Sequence, residues 1–192
     1  MKTLQERLKE ETTELHEKAE AHPLMKSFIE GNYKKEHLFQ YLVNLRPLYE
    51  SVEQRLIIKQ IHKNFDLCRS RLVSKDIAML YKEGIVNENN TNILELKKST
   101  IDWVANQWVV DNTDFLISDL YVRWLADFYG GRVFAKSLNP YVNSYQVKDV
   151  KSAISSVRDV IDSAKIAEES IICRSNSFFE FHIDLFDQIY AS

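Results

Sequence analysis

The chain has 192 residues and a formal net charge of -3, and 45% of its residues are hydrophobic and 28% charged. This length and composition are those of one globular domain, so we expect residues 1–192 to fold as a single unit. The weakly acidic balance excludes the basic surface that nucleic-acid binding requires. No run of about 18 apolar residues occurs, which excludes a membrane-spanning helix.

Cysteine usage and the N-terminal stretch bear on the cellular compartment. Cys68 and Cys173 lie far apart and form neither a CxxC nor a CxxCH motif, which argues against a disulfide scaffold, a zinc site and covalent haem attachment. The first residues, MKTLQERLKEETTELHEKAE, are too charged for a signal peptide. We therefore expect a cytoplasmic protein.

Apolar residues recur at helical spacing along the chain, and no alternating strand pattern interrupts them. In chain order, the spacing predicts helices over 4–22, 24–30, 35–62, 75–83, 93–110, 115–138, 147–162 and 164–190. Ser74 and Ser163 are expected to cap the fourth and the last of these helices. Gly84 is expected to stop the fourth, and Pro47 to bend the third. The sequence thus predicts an all-α, single-domain helical bundle.

His16 is the first candidate for a functional residue. It lies on the shoulder of the apolar stripe of the first predicted helix, beside Thr12 and Ala19. A histidine in such a position is more often a boundary residue that bonds a neighbouring side chain than a ligand of a metal or haem. Position alone therefore leaves both interpretations open.

The segment LYVRWLADFYGG, residues 120–131, combines two further features. Arg123 and Asp127 are four residues apart, so they share a helix face and can form an ion pair. Half of the chain's 4 glycines are adjacent here, as Gly130 and Gly131, although glycine inside a helix costs roughly 0.5–1 kcal/mol relative to alanine. With Ala126 one turn earlier, they predict either tight helix packing or the close approach of a flat ligand, with a kink at the glycines.

Tyr49 and His182 occupy apolar helical patterns, where an aromatic residue or a histidine more often belongs to the core than to a site. One other kind of site is excluded by spacing. Bundles with a di-iron centre use Glu-x-x-His motifs, and no histidine of this chain has a glutamate three residues before it. The sequence therefore argues against a ferritin-like di-iron protein.

Taken together, these stretches resemble the haem oxygenase family, whose members produce biliverdin. LKEETTELHEKAE resembles the family's proximal helix, in which the iron-ligating histidine corresponds to His16. LYVRWLADFYGG resembles the distal-helix pattern, roughly Y-x-R-Y-L-G-D-x-S-G-G. Tyr49, in LVNLRPLYESVE, matches a distal-network tyrosine, and FFEFHIDLF resembles the last helix, with His182 where relatives often carry asparagine. The resemblance covers most of the chain and is weakest over about 64–113.

The resemblance implies that haem b binds between the first helix and a glycine-kinked distal helix, as substrate and cofactor together. His16 would ligate the haem iron, and Glu20, one turn on, would accept the other ring proton of the imidazole. Ala126, Gly130 and Gly131 would lie against the porphyrin.

Further residues follow from the same resemblance. Lys9, Lys151 and Arg158 are candidates for pairing the haem propionates.

The implied reaction needs a proton, dioxygen and electrons. Asp127 and Arg123 would hold an ordered water that supplies a proton to dioxygen, and Tyr49 and His182 would complete the network. The implied products are biliverdin, carbon monoxide and ferrous iron. Nothing in the sequence binds flavin or NADPH, so an external donor of the reductase, ferredoxin or flavodoxin type would provide the electrons.

Two positions depart from the family pattern. Ala126 stands where the family has glycine, and its methyl group would crowd the pocket and divert the chemistry towards peroxidase-like behaviour. Tyr129 replaces a small residue, usually serine, and is expected to skirt the pocket. Three functions therefore stay open: a haem oxygenase, a non-catalytic haem-binding or haem-storage protein of the same fold, and a thiaminase-like protein without haem. His16 and the glycine pair disfavour the third.

Overall fold

The computed structural model describes residues 2–60, 69–109, 113–141, 143–147, 149–163 and 167–191, and these residues contain helices but no strand. The helices in chain order are α1 (Leu4–Ala21), α2 (Pro23–Glu30), α3 (Lys35–Ile58), α4 (Arg69–Lys82), α5 (Lys98–Val109), α6 (Thr113–Asp119), α7 (Leu125–Ser137), α8 (Val150–Asp162) and α9 (Glu168–Tyr190). A π turn, Leu120–Trp124, joins α6 to α7, and short 3-10 turns cover Thr91–Leu94 and Asn143–Tyr145. The predicted all-α class is confirmed.

Capping side chains explain where the first two helices begin and end. Thr3 and Glu6 form a capping box at the start of α1, in which each side chain accepts from the other residue's backbone N–H, at 3.2 and 2.8 Å. His22 begins α2 by accepting from Leu24 N at 3.1 Å through its Nδ1. α2 ends at Gly31, whose φ of 74° lies in the left-handed region that glycine adopts at helix ends.

Several helix starts differ from the sequence prediction. α4 begins at Arg69, so Ser74 lies inside the helix, where its hydroxyl donates to Ser70 O at 2.9 Å instead of capping. α5 begins at 98 and not at 93, because a 3-10 turn occupies 91–94. Ser163 ends α8, and Ala167 stands at the start of α9. α3 ends at Ile58, with Lys59 at its C-cap, so it does not continue to the predicted end near 62, a position that itself lies outside the described residues.

α9 is the central helix of the bundle, since it packs against α1, α2, α3, α5 and α6. α1 and α7 both pack against α2 and α8 but make little direct contact with each other. The buried core includes Phe28, Tyr41, Tyr49 and Trp124, each at most 1% exposed. Within the described ranges, no helix is both long and apolar enough to cross a membrane.

The π turn is part of one continuous helical segment from α6 to α7. The residues that flank it, Asp119 and Leu125, keep right-handed helical backbone angles. A π turn accommodates an extra residue, so it changes which side chains after it face the core, and such turns are frequent at functional sites. α7 stays α-helical through Gly130 and Gly131. The expected kink at these glycines stays a prediction.

Candidate functional site

A cluster of polar side chains is buried where α7 begins. We call it the distal cluster, and it consists of Tyr41, Tyr49, Arg69, Arg123 and Asp127. Asp127 is 2% exposed and accepts hydrogen bonds from the Tyr49 hydroxyl and from Arg123 Nη2. It also accepts from Arg69 Nη2 at 3.0 Å. Arg123 donates to the Tyr49 hydroxyl at 2.9 Å and to the Tyr41 hydroxyl at 3.3 Å, so one guanidinium joins both phenols and the carboxylate.

Burial and charge set the protonation of the distal cluster. Burial raises the pKa of Tyr41 and of Tyr49, so both phenols keep their protons at neutral pH and act as donors. Burial alone would lower the pKa of Arg123, but the Asp127 carboxylate raises it well above its ordinary value. The same balance raises the pKa of Arg69. Two positive guanidinium groups therefore surround one carboxylate.

Arg69 is a member of the cluster that the sequence analysis missed. It is fully buried at the start of α4, and its guanidinium lies 5.8 Å from the ring centroid of Phe128. Its Nε and Nη1 have no hydrogen-bond partner within the described residues, and buried donors of this kind are usually bonded to ordered water. No sequence motif marks Arg69, because its partner Asp127 is 58 residues away.

His182 lies in α9, 3% exposed, in contact with the rings of Phe178, Phe181 and Phe186. Its Nδ1 donates to the Phe178 carbonyl oxygen at 2.8 Å, so the neutral ring leaves Nε2 as an acceptor. This Nε2 has no partner in the described part of the chain. Burial, and after it the charge of Arg123, lowers the pKa of His182 to about 3. At neutral pH the ring can accept a hydrogen bond but carries no charge.

His16, by contrast, is accessible on α1, with 47% of its side chain exposed. Its Nε2 is 3.6 Å from Oε1 of Glu20, which is beyond hydrogen-bonding distance. Its ring makes an edge contact with Phe179, at 5.6 Å between centroids. Lys9, the propionate candidate on the same helix, is exposed as well. The imidazole is thus available to an outside ligand, with a carboxylate one turn away.

The two adjacent glycines of α7 have different surroundings. Gly131 is buried, and a Cβ on it would lie 3.4 Å from the carbonyl oxygen of Tyr145, at the near limit of an ordinary van der Waals contact. Gly130 is half-buried, and a Cβ on it would meet nothing nearer than Phe134 at 3.8 Å. Ala126, one turn earlier, is exposed. Ala126 and Gly130 therefore form an open strip on which a flat ligand can approach the helix backbone.

The two propionate candidates on α8, Lys151 and Arg158, are both exposed. Arg158 Nη2 donates to the hydroxyl of Tyr129 on α7 at 2.7 Å. Tyr129 is itself 55% exposed. This hydrogen bond links α7 to α8 at the surface, and Tyr129 directly precedes Gly130 of the open strip in the chain.

The predicted site residues thus fall into a buried group and an accessible group. Arg123 and Asp127 form the ion pair that their spacing predicted, and Tyr49 joins them. His16 and the open strip lie on accessible surfaces of α1 and α7. Two cavities lie elsewhere: one of about 660 Å³ between α2 and α7, and one of about 390 Å³ between α3 and α4. His16 and Asp127 line neither of these two cavities. The candidate site is therefore identified from the chemistry of its side chains and not from a cavity.

Comparison with known proteins identifies relatives along the whole chain. The family model described as Heme oxygenase matches residues 2–189. The heme oxygenase of Porphyra purpurea is 23% identical over 212 residues, which cover 99% of this chain and 88% of that protein. The structure of heme oxygenase from Leptospira interrogans has a TM-score of 0.81 and 23% identity, over 97% of this chain and 100% of that one. Heme oxygenase-1 from the cyanobacterium Synechocystis, solved in complex with heme, has a TM-score of 0.81 and 19% identity, over 99% and 93% of the two chains.

The chain therefore belongs to the haem oxygenase family. The two solved structures share its fold, which confirms a helical bundle of the haem oxygenase type. Membership also confirms the family that the two sequence motifs predicted, in preference to the thiaminase-like alternative.

Proposed function

We propose that this member of the haem oxygenase family cleaves haem to biliverdin, carbon monoxide and ferrous iron, using dioxygen and electrons from an external donor. Family membership supports haem degradation in general terms. The proposal that the protein is catalytic rests on the distal cluster, in which a buried carboxylate is paired with two guanidinium groups and directly follows Ala126 of the open strip. An accessible His16 on α1 supplies the other half of the proposed site.

The residues present fit a haem between α1 and α7. His16 offers an accessible imidazole whose Nε2 makes no hydrogen bond within the described residues, and it would ligate the haem iron. Glu20 lies one turn away, where it would orient the ring. The strip of Ala126 and Gly130 carries only one methyl group, so a porphyrin face would lie close to the α7 backbone. When bound, haem b is the substrate and also supplies the iron at which dioxygen reacts.

Asp127 is proposed to hold the water that delivers protons. A carboxylate has about four acceptor positions, and Tyr49, Arg69 and Arg123 occupy three of those on Asp127. The remaining position would accept from a water and fix its orientation. The unpartnered Nε and Nη1 of Arg69 and Nε2 of His182 are the donors and the acceptor that further ordered waters would satisfy. In this arrangement His182 relays a hydrogen bond and does not itself titrate near neutral pH.

The remaining assignments concern the surface of the proposed site. Lys9, Lys151 and Arg158 are exposed cations on α1 and α8, and we propose that they pair the haem carboxylates. Electrons would come from a reductase, ferredoxin or flavodoxin in the cytoplasm.

A second function, haem binding or storage without catalysis, is favoured by one observation. Ala126 lies exposed on the open strip, so its methyl group projects where the family pattern has glycine. That methyl would reduce the room for dioxygen above a bound porphyrin while leaving His16 free to bind the iron. The two functions therefore differ in turnover and agree in haem binding.

Titration with haem, followed through the Soret band, tests the binding common to both functions. We expect His16→Ala to shift the Soret maximum and to lower haem affinity at least about tenfold, or by about 1.4 kcal/mol, because the iron would lose one nitrogen ligand. Glu17→Ala, an exposed change on the same helix, is the matched control and should bind like the unmodified protein. Unchanged binding and turnover in His16→Ala would show that another residue ligates the iron.

Addition of a reductant under oxygen then separates the two functions. An oxygenase loses its Soret band while biliverdin absorbance and carbon monoxide appear. A storage protein keeps the Soret band and forms neither product. That second outcome contradicts our first proposal and supports the alternative.

A further inference from the structure

A groove of about 390 Å³ lies between α3 and α4, apart from the proposed haem site, and neither His16 nor Asp127 lines it. We call it the α3–α4 groove. Its main lining residues are Phe39, Val43 and Arg46 of α3 and Ala78, Tyr81 and Lys82 of α4. The α3 residues span about two helical turns, so the groove is roughly 10 Å long at about 1.5 Å per residue. Its volume is within the range of small-molecule sites.

The walls of the α3–α4 groove are largely apolar, and part of this apolar surface contacts water. Phe39, which is fully buried, and Val43 line the α3 side. On the other side Tyr81 is 58% exposed, and Leu94 of the first 3-10 turn is 46% exposed. Removal of apolar surface from water is favourable, so a ligand with an apolar chain would gain free energy by filling the groove.

The α3–α4 groove has a cationic side chain at each end. α3 and α4 run antiparallel, because Lys35, at the start of α3, donates to Glu83, directly after α4, at 2.6 Å. Glu53, near the end of α3, accepts from the backbone N–H of the second residue of α4 at 2.9 Å. Arg46 is the last lining residue of α3, and Lys82 is the last lining residue of α4. In antiparallel helices these two charges lie at opposite ends.

These two cations have no acidic partner in the described part of the protein. Glu83, the neighbour of Lys82 in the chain, forms its ion pair with Lys35. Arg46 forms no ion pair with any described residue. None of the described residues that line the groove is acidic. The charges of the groove are therefore complementary to a ligand with an anionic group at each end.

We propose that the α3–α4 groove binds an elongated dicarboxylate with an apolar chain between its two carboxylates. Arg46 pairs with one carboxylate through charge-assisted hydrogen bonds, and Lys82 pairs with the other. The chain lies between them against Val43 and Ala78 and covers Tyr81. Because a water molecule takes up about 30 Å³, the groove of about 390 Å³ has room for roughly a dozen heavy atoms. Octanedioate is a probe of this size.

Titration with octanedioate, followed through the NMR shifts of backbone N–H groups, tests the proposal. We expect one saturable site with a Kd on the order of 1 mM, and the largest shifts on α3 and α4. Octanoate lacks the second carboxylate and should bind about fivefold more weakly, as for loss of one ion pair at an exposed position. Octane-1,8-diol has no charge and should bind more weakly still.

Variants of the lining residues locate the bound probe. Arg46→Gln and Lys82→Gln should each weaken octanedioate binding about fivefold. Lys75→Gln removes an exposed cation of α4 that does not line the groove, so this matched control should bind like the unmodified protein. Ala78→Trp places a large ring in the groove and should abolish binding. Ala78 is exposed, so this variant should keep the helical content of the unmodified protein, which circular dichroism measures.

Four outcomes would overturn the inference. Octanoate that binds as tightly as octanedioate would show that the second carboxylate makes no contact. Unchanged affinity in Arg46→Gln or Lys82→Gln would remove the charged contacts, and full binding by folded Ala78→Trp would locate the probe elsewhere. Haem also carries two carboxylates, so displacement of octanedioate by haem would mean that the probe occupies the proposed haem site. If haem gives no Soret shift, the proposed function fails, and the titration with octanedioate still decides this inference.

Discussion

Two buried aspartates, one on each side of the π turn, have opposite surroundings. Asp127 accepts from two guanidinium groups and a phenol. Asp119, at the end of α6, is fully buried and accepts from the Gln107 amide, and its Oδ1 has no partner of hydrogen-bonding geometry in the described residues. Burial raises the pKa of Asp119 to about 8, although the charges of Arg174 and Arg55 oppose that rise.

Both acids are buried, and they differ in their direct contacts: Asp127 has two guanidinium partners, whereas Asp119 has only an amide partner within the described residues. Of the opposing charges, that of Arg174 acts most strongly on Asp119. The Arg174 guanidinium is stacked between Trp103 and Phe115, 3.5 Å from each ring centroid. This guanidinium therefore contacts the two rings, and burial keeps the Asp119 carboxyl protonated at neutral pH. Asp127 is instead compensated on both oxygens, so its carboxylate can serve the proposed site as an acceptor.

The largest effect is expected when the charge of Asp127 is removed. Asp127→Asn keeps the shape of the side chain but leaves Arg69 and Arg123 buried without an anion. Loss of one partner of a buried ion pair costs about 3–5 kcal/mol, and we expect that decrease in the free energy of unfolding by urea near pH 7. Asp159→Asn, at an exposed acid, is the control and should stay within about 0.5 kcal/mol. A decrease below about 1 kcal/mol would mean that other groups compensate the two guanidiniums.

His182 should produce an effect that depends on pH. Its pKa is about 3 in the folded protein and 6.5 ordinarily, so between these values the unfolded chain binds a proton that the folded chain does not. Stability is therefore lost as pH falls below about 6.5, by about 1.4 kcal/mol per pH unit. The side chains in His182→Asn and His182→Gln cannot titrate. As the pH is lowered from about 6 to about 4.5, the free energy of unfolding of each variant should therefore rise by about 2 kcal/mol relative to that of the unmodified protein. If the difference in the free energy of unfolding by urea between each variant and the unmodified protein is the same at both pH values, His182 is not neutral and buried as proposed.

Asp119 should also make the stability depend on pH, but in the opposite direction to His182 and by a smaller amount. Its pKa is about 8 in the folded protein and 3.8 ordinarily, so the folded chain keeps a proton that the unfolded chain releases. Stability from this protonated acid is present at low pH and is lost as pH rises towards 8. As the pH is raised from about 6 to about 7, the free energy of unfolding of Asp119→Asn should therefore rise by about 1 kcal/mol relative to that of the unmodified protein. An unchanged difference over that range would show that Asp119 ionises alike in both states.

Local features of this protein were predictable from the sequence because they depend on residues a few positions apart. Helical periodicity predicted the all-α class, and the spacing of Arg123 and Asp127 predicted their ion pair. Two short motifs predicted the family. Helix starts were less predictable: Ser74 and Ser163 have side chains suited to capping, but Ser74 lies inside α4 and Ala167 stands at the start of α9.

Contacts between distant segments decided the rest, because periodicity does not say which side chains meet across the bundle. Arg69 reaches Asp127 from 58 residues away, and Arg158 reaches Tyr129 across 29 residues. Tertiary packing also buries Gly131 against Tyr145 and leaves its neighbour Gly130 half-buried. The sequence by itself determined the helices, the family and the candidate residues. Only the tertiary structure decided burial and charge compensation, and these set the protonation and the accessibility on which the proposed chemistry depends.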